Sequence, residues 1–460
     1  MGQKFYMEVR GSMTRFEPLT EAALNRLETD LTFAELVQML DACGLSIDHA
    51  VHDPRRKFAG TFYADYEKGL YLTLSPSRKY LKDCLSSTPL EAWQQKAAAA
   101  LERKAWPEYY RLYVPVPMLI YDFQQRYQDI PPAEVFSVWH SIYKRIGYSN
   151  GMWNPDILEY IFSQALPSSL PPADADGRVT LYRGMGALSQ PPEKAISWST
   201  HPGNALWFAT HFGQGTHIVV AKVRPEDIVA YDEGYRVENE VILRPGTEKE
   251  WFYEDMIPAV KETVPLLLAP TLLDFTRYGC LAFGLGYPEE NDFQIHGVRH
   301  VLRVLLLSLL YIHHAGDLLT EADRQILIYF SLLHDIGRVS DSREPTHGAQ
   351  SVELIHKKGI RLKGIRLSRK DYRIAELLIR CHYLDDQEGI TEIHAAPGLS
   401  LRDKKRACKL YEICKDMDGL DRIRFNGLDY RLLRTKYARR LPLIAGCLLH
   451  ESLQDILKIR

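Results

Sequence analysis

Between Val179 and Leu243 apolar residues recur at every second position, whereas beyond Pro258 they recur at helical spacing to the end of the chain. Such a change of period means that strands give way to helices, because side chains alternate across a strand but return to one helical face after three or four residues. Val179 to Arg183, Ile196 to Ser199, His217 to Val223, Ile228 to Tyr231 and Glu240 to Leu243 read as successive strands, interrupted by a helical stretch from Pro202 to Phe212. Upstream, Phe136, Trp139, His140 and Tyr143 fall at three- and four-residue steps, so Ala105 to Tyr148 reads as helical and ends in the turn-like Ser149-Asn150-Gly151. Nearer the start, the helical pattern of Phe33 to Cys43 precedes two alternating runs, Phe58 to Ala64 and Leu70 to Leu74. The expectation is a multidomain chain. An α+β N-terminal module over 1–104, to which no chemistry is assigned, precedes an α+β domain over 105–258, a linker over 259–284 around Pro265 and Pro270, and an all-α domain over 285–460.

Charge and cysteine usage narrow the class further. A formal net charge of -2 without a long Lys/Arg run leaves no footprint for general nucleic-acid binding, although a local patch such as Lys404-Lys405-Arg406 stands out. The seven cysteines (Cys43, Cys84, Cys280, Cys381, Cys408, Cys414 and Cys447) form no CxxC pair, which suggests reduced thiols in a cytosol-like compartment. The first residues lack the apolar run of a secretory signal. Val301 to Ile312 is apolar but carries Arg303 and is too short to cross a bilayer, so it reads as a buried helix and no membrane partner is expected.

Three short stretches in the strand-rich segment carry chemistry: Leu181-Tyr182-Arg183-Gly184, Ile196-Ser197-Trp198-Ser199-Thr200, and Glu238-Asn239-Glu240-Val241-Ile242-Leu243. An arginine fork can grip a pyrophosphate, and a carboxylate can place negative charge where positive charge develops. Within one strand Glu238 and Glu240 point to the same face, so both carboxylates can reach one pocket. In this order the motifs resemble the R-S-E signature of mono-ADP-ribosyltransferases, over about 105–258. The resemblance implies that Arg183, with Gly184, Ser199 and Thr200, binds NAD. It makes Ser199 the signature hydroxyl, Glu240 the catalytic glutamate and Glu238 an upstream acid that favours an arginine acceptor. His201 follows Ser199-Thr200 where the family has a second serine, which leaves Ser197 as an alternative signature residue. Trp207 and Phe208 offer stacking surfaces for nicotinamide, but aromatics in a helix more often belong to the core.

A second series lies in the helical half. His296-Gly297-Val298-Arg299-His300 opens an apolar helix, His334-Asp335-Ile336-Gly337-Arg338 ends the next, and Thr346-His347-Gly348, Cys381-His382 and Asp416-Met417-Asp418 follow. The succession over 290–430 resembles the HD superfamily of helical phosphohydrolases. That resemblance implies a first divalent metal (Mg, Mn or Fe) on His300, His334, Asp335 and Asp418, and a second on His347 and His382 with Asp335 between them. The expected reaction is hydrolysis of a phosphate ester or anhydride by an activated water. His296 and His300, four residues apart, are expected on one helical face.

Together the two halves are similar to SidE-type effectors, in which a transferase and a phosphodiesterase convert ADP-ribosylated ubiquitin to a phosphoribosyl-linked product, with the domain order reversed here. That family's phosphodiesterase works through histidines without metal, a role open to His296, so His296 and Asp335 join Arg183, Ser199, Glu238 and Glu240 as candidate catalytic residues. The resemblances imply NAD and a divalent metal as cofactors. They imply a nucleotide and a protein acceptor (ubiquitin or another host protein) as partners, and a bacterial effector or toxin acting in a host cytosol. Two alternatives stay open: a transferase with a regulatory nucleotide-binding HD module, and an HD phosphohydrolase beside a non-catalytic NAD-binding scaffold.

Overall fold

The computed structural model describes residues 16–450 apart from 55–59, 76, 88–89, 147–151, 166–168, 187–188, 211–214, 233–237, 261, 288–295, 341–344 and 426–427. The expected turn at Ser149-Asn150-Gly151 therefore lies outside the described residues, as do Phe58-Ala59 and the last residues of the Pro202 to Phe212 stretch. Backbone contacts divide the chain into two compact units, Met1–Ser169 with Arg244–Gly246, and Leu170–Leu243 with Thr247–Arg460.

In the first unit β1 (Glu17–Pro18), β2 (Ala50–His52), β3 (Thr61–Asp65) and β4 (Leu70–Leu74) form an antiparallel sheet in that order. Tyr63, Leu70, Leu72 and Leu74 pack with Leu36 and Leu40 of the helix Phe33–Asp41. A capping box between Thr32 and Glu35 starts that helix by satisfying two backbone N–H groups that have no partner within it. The helices Trp106–Leu112, Leu119–Arg126 and Pro132–Ile146 belong to the same unit. Their buried Asp122 ties them to the sheet: its Oδ1 accepts from the hydroxyls of Tyr71 on β4 (2.5 Å) and Tyr109 (3.2 Å) and from Arg126 Nε (3.2 Å). Burial raises the Asp122 carboxyl above its ordinary range, and the Arg126 charge only partly opposes it.

In the second unit β5 (Val179–Gly186), β6 (Ser197–Ser199), β7 (Gly215–Val223), β8 (Ile228–Asp232), β9 (Glu240–Leu243) and β10 (Glu250–Tyr253) make one antiparallel sheet, ordered β10-β7-β5-β6-β9-β8. Five of these strands follow the period-two reading. The sixth, β10, shows no alternation in Glu250-Trp251-Phe252-Tyr253 because it is an edge strand with both faces partly open. Leu181, Trp198, Val219, Ala221, Val241 and Leu243 fill one side of the sheet. Tyr182, Ile218 and Val220 on the other side meet Ala205, Leu206 and Ala209 of the helix Pro202–Thr210. That helix lies so close to β5 that a Cβ on Gly184 would sit 2.0 Å from the Ala205 carbonyl oxygen, so only glycine fits there.

The expectation that Glu238 and Glu240 share a strand face is corrected. The strand begins at Glu240, and Asn239 adopts a left-handed φ of 45°, which breaks the two-residue alternation before it reaches Glu238.

Residues 263–283, where two prolines suggested a connecting segment, form the helices Thr263–Leu268 and Leu272–Phe283 joined by the 3-10 turn Ala269–Thr271. Phe275, Tyr278 and Ala282 bury one face of the second helix. The longer helices follow: Val298–Ala315, Glu321–Leu333, His347–Lys358, Arg369–Cys381, Leu401–Leu420 and Pro442–His450. Thr320 and Ser400 start two of them with capping boxes to Asp323 and Asp403. Val298–Ala315 is the apolar stretch read as a buried helix, and Val301, Val304, Leu305 and Leu309 are fully enclosed. One apolar core runs from Tyr182, Ala205 and Ile218 of the sheet layer through Leu305 and Phe330 to Leu443 and Ile444. Along that seam Gly446 lies against Thr210, where a Cβ would come within 2.3 Å of Thr210 Cγ2.

Candidate metal centre

Six side chains from the ends of five helices converge inside the bundle. His300 comes from the first turn of Val298–Ala315, His334 caps the C-terminus of Glu321–Leu333 and Asp335 follows it. His347 opens its helix, His382 caps Arg369–Cys381, and Asp418 stands in the last turn of Leu401–Leu420. Two glycines permit the convergence. A Cβ on Gly337 would lie 2.3 Å from the Ser351 nitrogen, and one on Gly348 would lie 2.4 Å from the Ile379 oxygen. Ser351 closes the fit by donating to the His334 carbonyl (2.7 Å) while accepting from the Gly337 N–H (2.9 Å).

The six form two trios of possible ligands, His300 with His334 and Asp418, and Asp335 with His347 and His382. Asp335 faces both. Its Oδ2 is 3.6 Å from His300 Nε2 and 3.8 Å from His334 Nε2, and its Oδ1 is 3.5 Å from His347 Nε2 and 3.4 Å from His382 Nε2. Asp418 Oδ1 lies 3.5 Å from His300 Nε2 and 3.8 Å from His334 Nε2.

The far ring nitrogens fix what the near ones can do. His300 Nδ1 donates to Asp421 Oδ2 at 2.7 Å, His382 Nδ1 to the Ile379 carbonyl at 2.7 Å, and His334 Nδ1 to the Ser331 carbonyl at 3.3 Å. With Nδ1 so engaged, each of these three rings turns its Nε2 toward the centre. Yet His300 Nε2 faces His334 Nε2 at 3.2 Å, and His347 Nε2 faces His382 Nε2 at 2.9 Å. Between the pairs, the buried Asp335 Oδ1 has no hydrogen-bond donor among the described residues. Two histidine pairs whose Nε2 atoms approach this closely beside a buried carboxylate make a donor set that fits a divalent metal. Four imidazoles with two carboxylates suit Mn or Fe better than an oxygen-seeking Mg.

Burial pushes His334 down to about 4, which keeps the ring neutral. The same burial would raise Asp335, but His334, His382 and His300 together hold its carboxyl well below the usual range. For His382, desolvation is outweighed by Asp335, and its pKa rises.

One buried hub was not anticipated in the sequence. Asp421, three residues after Asp418, receives His300 Nδ1, Arg303 Nε at 2.6 Å, Arg303 Nη2 at 3.1 Å and Arg424 Nη1 at 2.9 Å. Arg303 and Asp421 each stand three residues beyond a candidate ligand, one helical turn on, and that spacing was the available signal. Arg338 Nε also approaches Asp335 Oδ2, at 3.4 Å. His296 precedes the helix rather than sharing its face, because the helix starts at Val298 after an extended Gly297. Its ring lies edge-on to His300 at 5.7 Å and 6.2 Å from Phe425.

The strand motifs assemble separately. Although 57 positions separate Arg183 from Glu240, β5, β6 and β9 are neighbours, with Tyr182 paired to Ser199 and Ser199 to Glu240. Arg183 Nη1 donates to the Ser197 carbonyl (2.5 Å), and the Ser197 hydroxyl donates to Glu240 Oε1 (2.7 Å). Ser199 instead donates to the Glu238 carbonyl (2.8 Å), as does Asn204 Nδ2 (2.5 Å). By alternation Arg183 falls with Leu181 on the opposite side of β5 from Tyr182, so it does not share a face with Ser199 and Glu240. Thr200 follows β6 and its N–H donates to the Asn239 carbonyl, while Gly184 is the close-packed position on β5. Trp207 and Phe208 meet edge-on at 4.9 Å, and Phe208 is exposed.

No curated protein and no solved structure matches the chain. The stretch that holds all six converging residues, 297–423, matches the family model of the HD domain.

Proposed function

We propose that the HD domain is a metal-dependent phosphohydrolase acting on a phosphate ester or anhydride, with a nucleotide as the favoured substrate class. The observation that carries the reading is the pair of opposed imidazole nitrogens on either side of Asp335. His300, His334, Asp335 and Asp418 would hold one metal ion, and Asp335, His347 and His382 a second. Bound there, such ions supply Lewis acidity toward a phosphoryl oxygen and acidify water. The chain's own contribution is orientation. The carbonyls of Ser331 and Ile379, together with Asp421, fix three rings, and Arg303 and Arg424 keep Asp421 charged. Arg338, beside Asp335, brings positive charge to the same pocket, where a phosphate would be drawn. Release of p-nitrophenol from bis(p-nitrophenyl) phosphate by the full chain with added Mn, compared with Asp335→Ala, tests the reading. Turnover that needs Mn and vanishes in the variant supports it; equal turnover in both proteins refutes it.

A second reading, mono-ADP-ribosyl transfer from NAD to a protein acceptor, is favoured by one observation. The three strand motifs, remote in sequence, stand on adjacent strands and are joined by the Arg183, Ser197 and Glu240 hydrogen bonds. In this reading Glu240 steadies the ribose cation and Ser197, rather than Ser199, orients it. Nicotinamide release from NAD that disappears in Glu240→Ala supports it, and release that persists in the variant removes it.

A further inference from the structure

The segment leaving the His347–Lys358 helix alternates two kinds of residue. Ile360, Leu362, Ile365 and Leu367 turn inward against the bundle core, with Leu362 and Ile365 buried. Lys357, Lys358, Arg361, Lys363 and Arg366 are all exposed, and Arg369, Lys370 and Arg373 continue the series on the first turns of the next helix. Asp371 is the single acid within 357–373, and Arg406 already engages it at 2.6 Å. Lys370 pairs with Asp403, but Lys357, Lys358, Lys363, Arg366 and Arg369 have no ion-pair partner among the described residues. A chain of formal net charge -2 thus concentrates unneutralised positive charge at one place.

An apolar stripe adjoins that place. Leu266 is 76% exposed, Leu273 85% and Phe283 70%, and with Cys280 and Arg277 they follow the outward side of the helical segment 263–283. The segment is long and apolar enough to cross a membrane, yet its other face is committed: Gly279 packs on Leu302, and Phe275, Tyr278 and Ala282 are buried. Arg277 joins stripe to basic segment, its guanidinium lying against Gly364, where a Cβ would be 3.1 Å from Nη2.

We propose that this face of the second unit docks on an anionic lipid bilayer, the basic segment meeting the headgroups and Leu266, Leu273 and Phe283 entering the boundary below them. Basic residues near a charged membrane act additively, and exposed leucine and phenylalanine gain only where an apolar phase is available. A nucleic acid would use the same cations but has no use for the aliphatic stripe. Lying on a bilayer requires no spanning segment, so the short apolar run in the sequence does not oppose it.

The test is co-sedimentation of the full chain with vesicles of phosphatidylcholine alone or mixed with phosphatidylserine, and in parallel its retention of a fluorescent DNA duplex. Binding to the mixed vesicles only is expected. Lys363→Gln with Arg366→Gln should weaken it about 25-fold, at about fivefold per charge. Leu273→Ser with Phe283→Ser should weaken it at unchanged charge, and all four exposed positions should leave thermal melting unchanged. Failure of the wild type to sediment with anionic vesicles overturns the proposal. So does a response to the charge variant without any response to the apolar one, or a charge effect seen only on the duplex.

Discussion

The two polar clusters of the second unit differ in how their hydrogen-bonding capacity is spent. On the sheet, the hydroxyls of Ser197 and Ser199 already donate to Glu240 and to the Glu238 carbonyl, so the cluster is stable as it stands. In the bundle, the outer nitrogens of His300, His334 and His382 are held by Asp421 and two carbonyls, while the inner Nε2 atoms face one another beside the Asp335 carboxylate. Burying polar groups without partners is costly. At the meeting point of five helices such an arrangement makes a donor set that fits a cation. Adjacency of the expected residues is thus weaker evidence of chemistry than an unmet electrostatic demand.

Replacing the shared carboxylate gives the largest expected effect. Asp335→Ala should lose metal from both trios and reduce phosphodiester hydrolysis by at least about a thousandfold, whereas His382→Ala should empty only its own trio. Metal analysis of the two purified variants reads the difference, and identical metal content would erase the distinction between the trios. Glu240→Ala should leave this hydrolysis unchanged, which separates the clusters functionally.

Acidification comes next. His334 titrates near 4 in the folded protein against an ordinary value of 6.5. Between those values the unfolded chain takes up a proton that the folded chain refuses. Metal-free protein should therefore lose stability as pH falls through that window, by about 3 kcal/mol from this residue. Urea titrations at stepped pH measure the slope, and His334→Gln should flatten it.

Asp421→Asn should lower metal affinity about 10- to 100-fold, because the amide can hold the ring of His300 but supplies less charge behind it. Isothermal titration with Mn gives the value, and an affinity equal to wild type would reduce Asp421 to a partner of the arginines. The smallest effect is expected on the sheet, where Ser197→Ala removes one hydrogen bond from the strand cluster and should cost about 1 kcal/mol in thermal unfolding.

Much of the bundle was legible because its candidate ligands are chemically conspicuous and lie at helix ends that capping and spacing rules locate within a residue or two. His334 and Asp335 end one helical pattern and His347 begins another. The Asp421 hub was less visible because an internal ion pair between helices 118 positions apart is a tertiary fact, and only its one-turn offset from each ligand hints at it. The Glu238 reading failed at a single backbone angle, that of Asn239, which no pattern of side chains records. The strand at Glu250 escaped because partly open edge strands carry no alternation. The basic segment was passed over because glycines and leucines break it into short pieces, and the fold brings the charges outward by turning the leucines in.

The seam between Thr210 and Gly446 has a consequence for the life of the molecule. Tyr430 donates to Glu254, Arg431 reaches the hydroxyl of Tyr182, and the Ile257 N–H bonds the Arg440 carbonyl, so the last part of the chain fastens onto the sheet made long before it. Until residues 430–448 are made, the sheet layer lacks these bonds and the part of the apolar core that Leu443 and Ile444 supply. A protease cut near residue 430 would remove these contacts from the sheet and the bundle alike. The two clusters are delivered in a fixed one-to-one dose and withdrawn together.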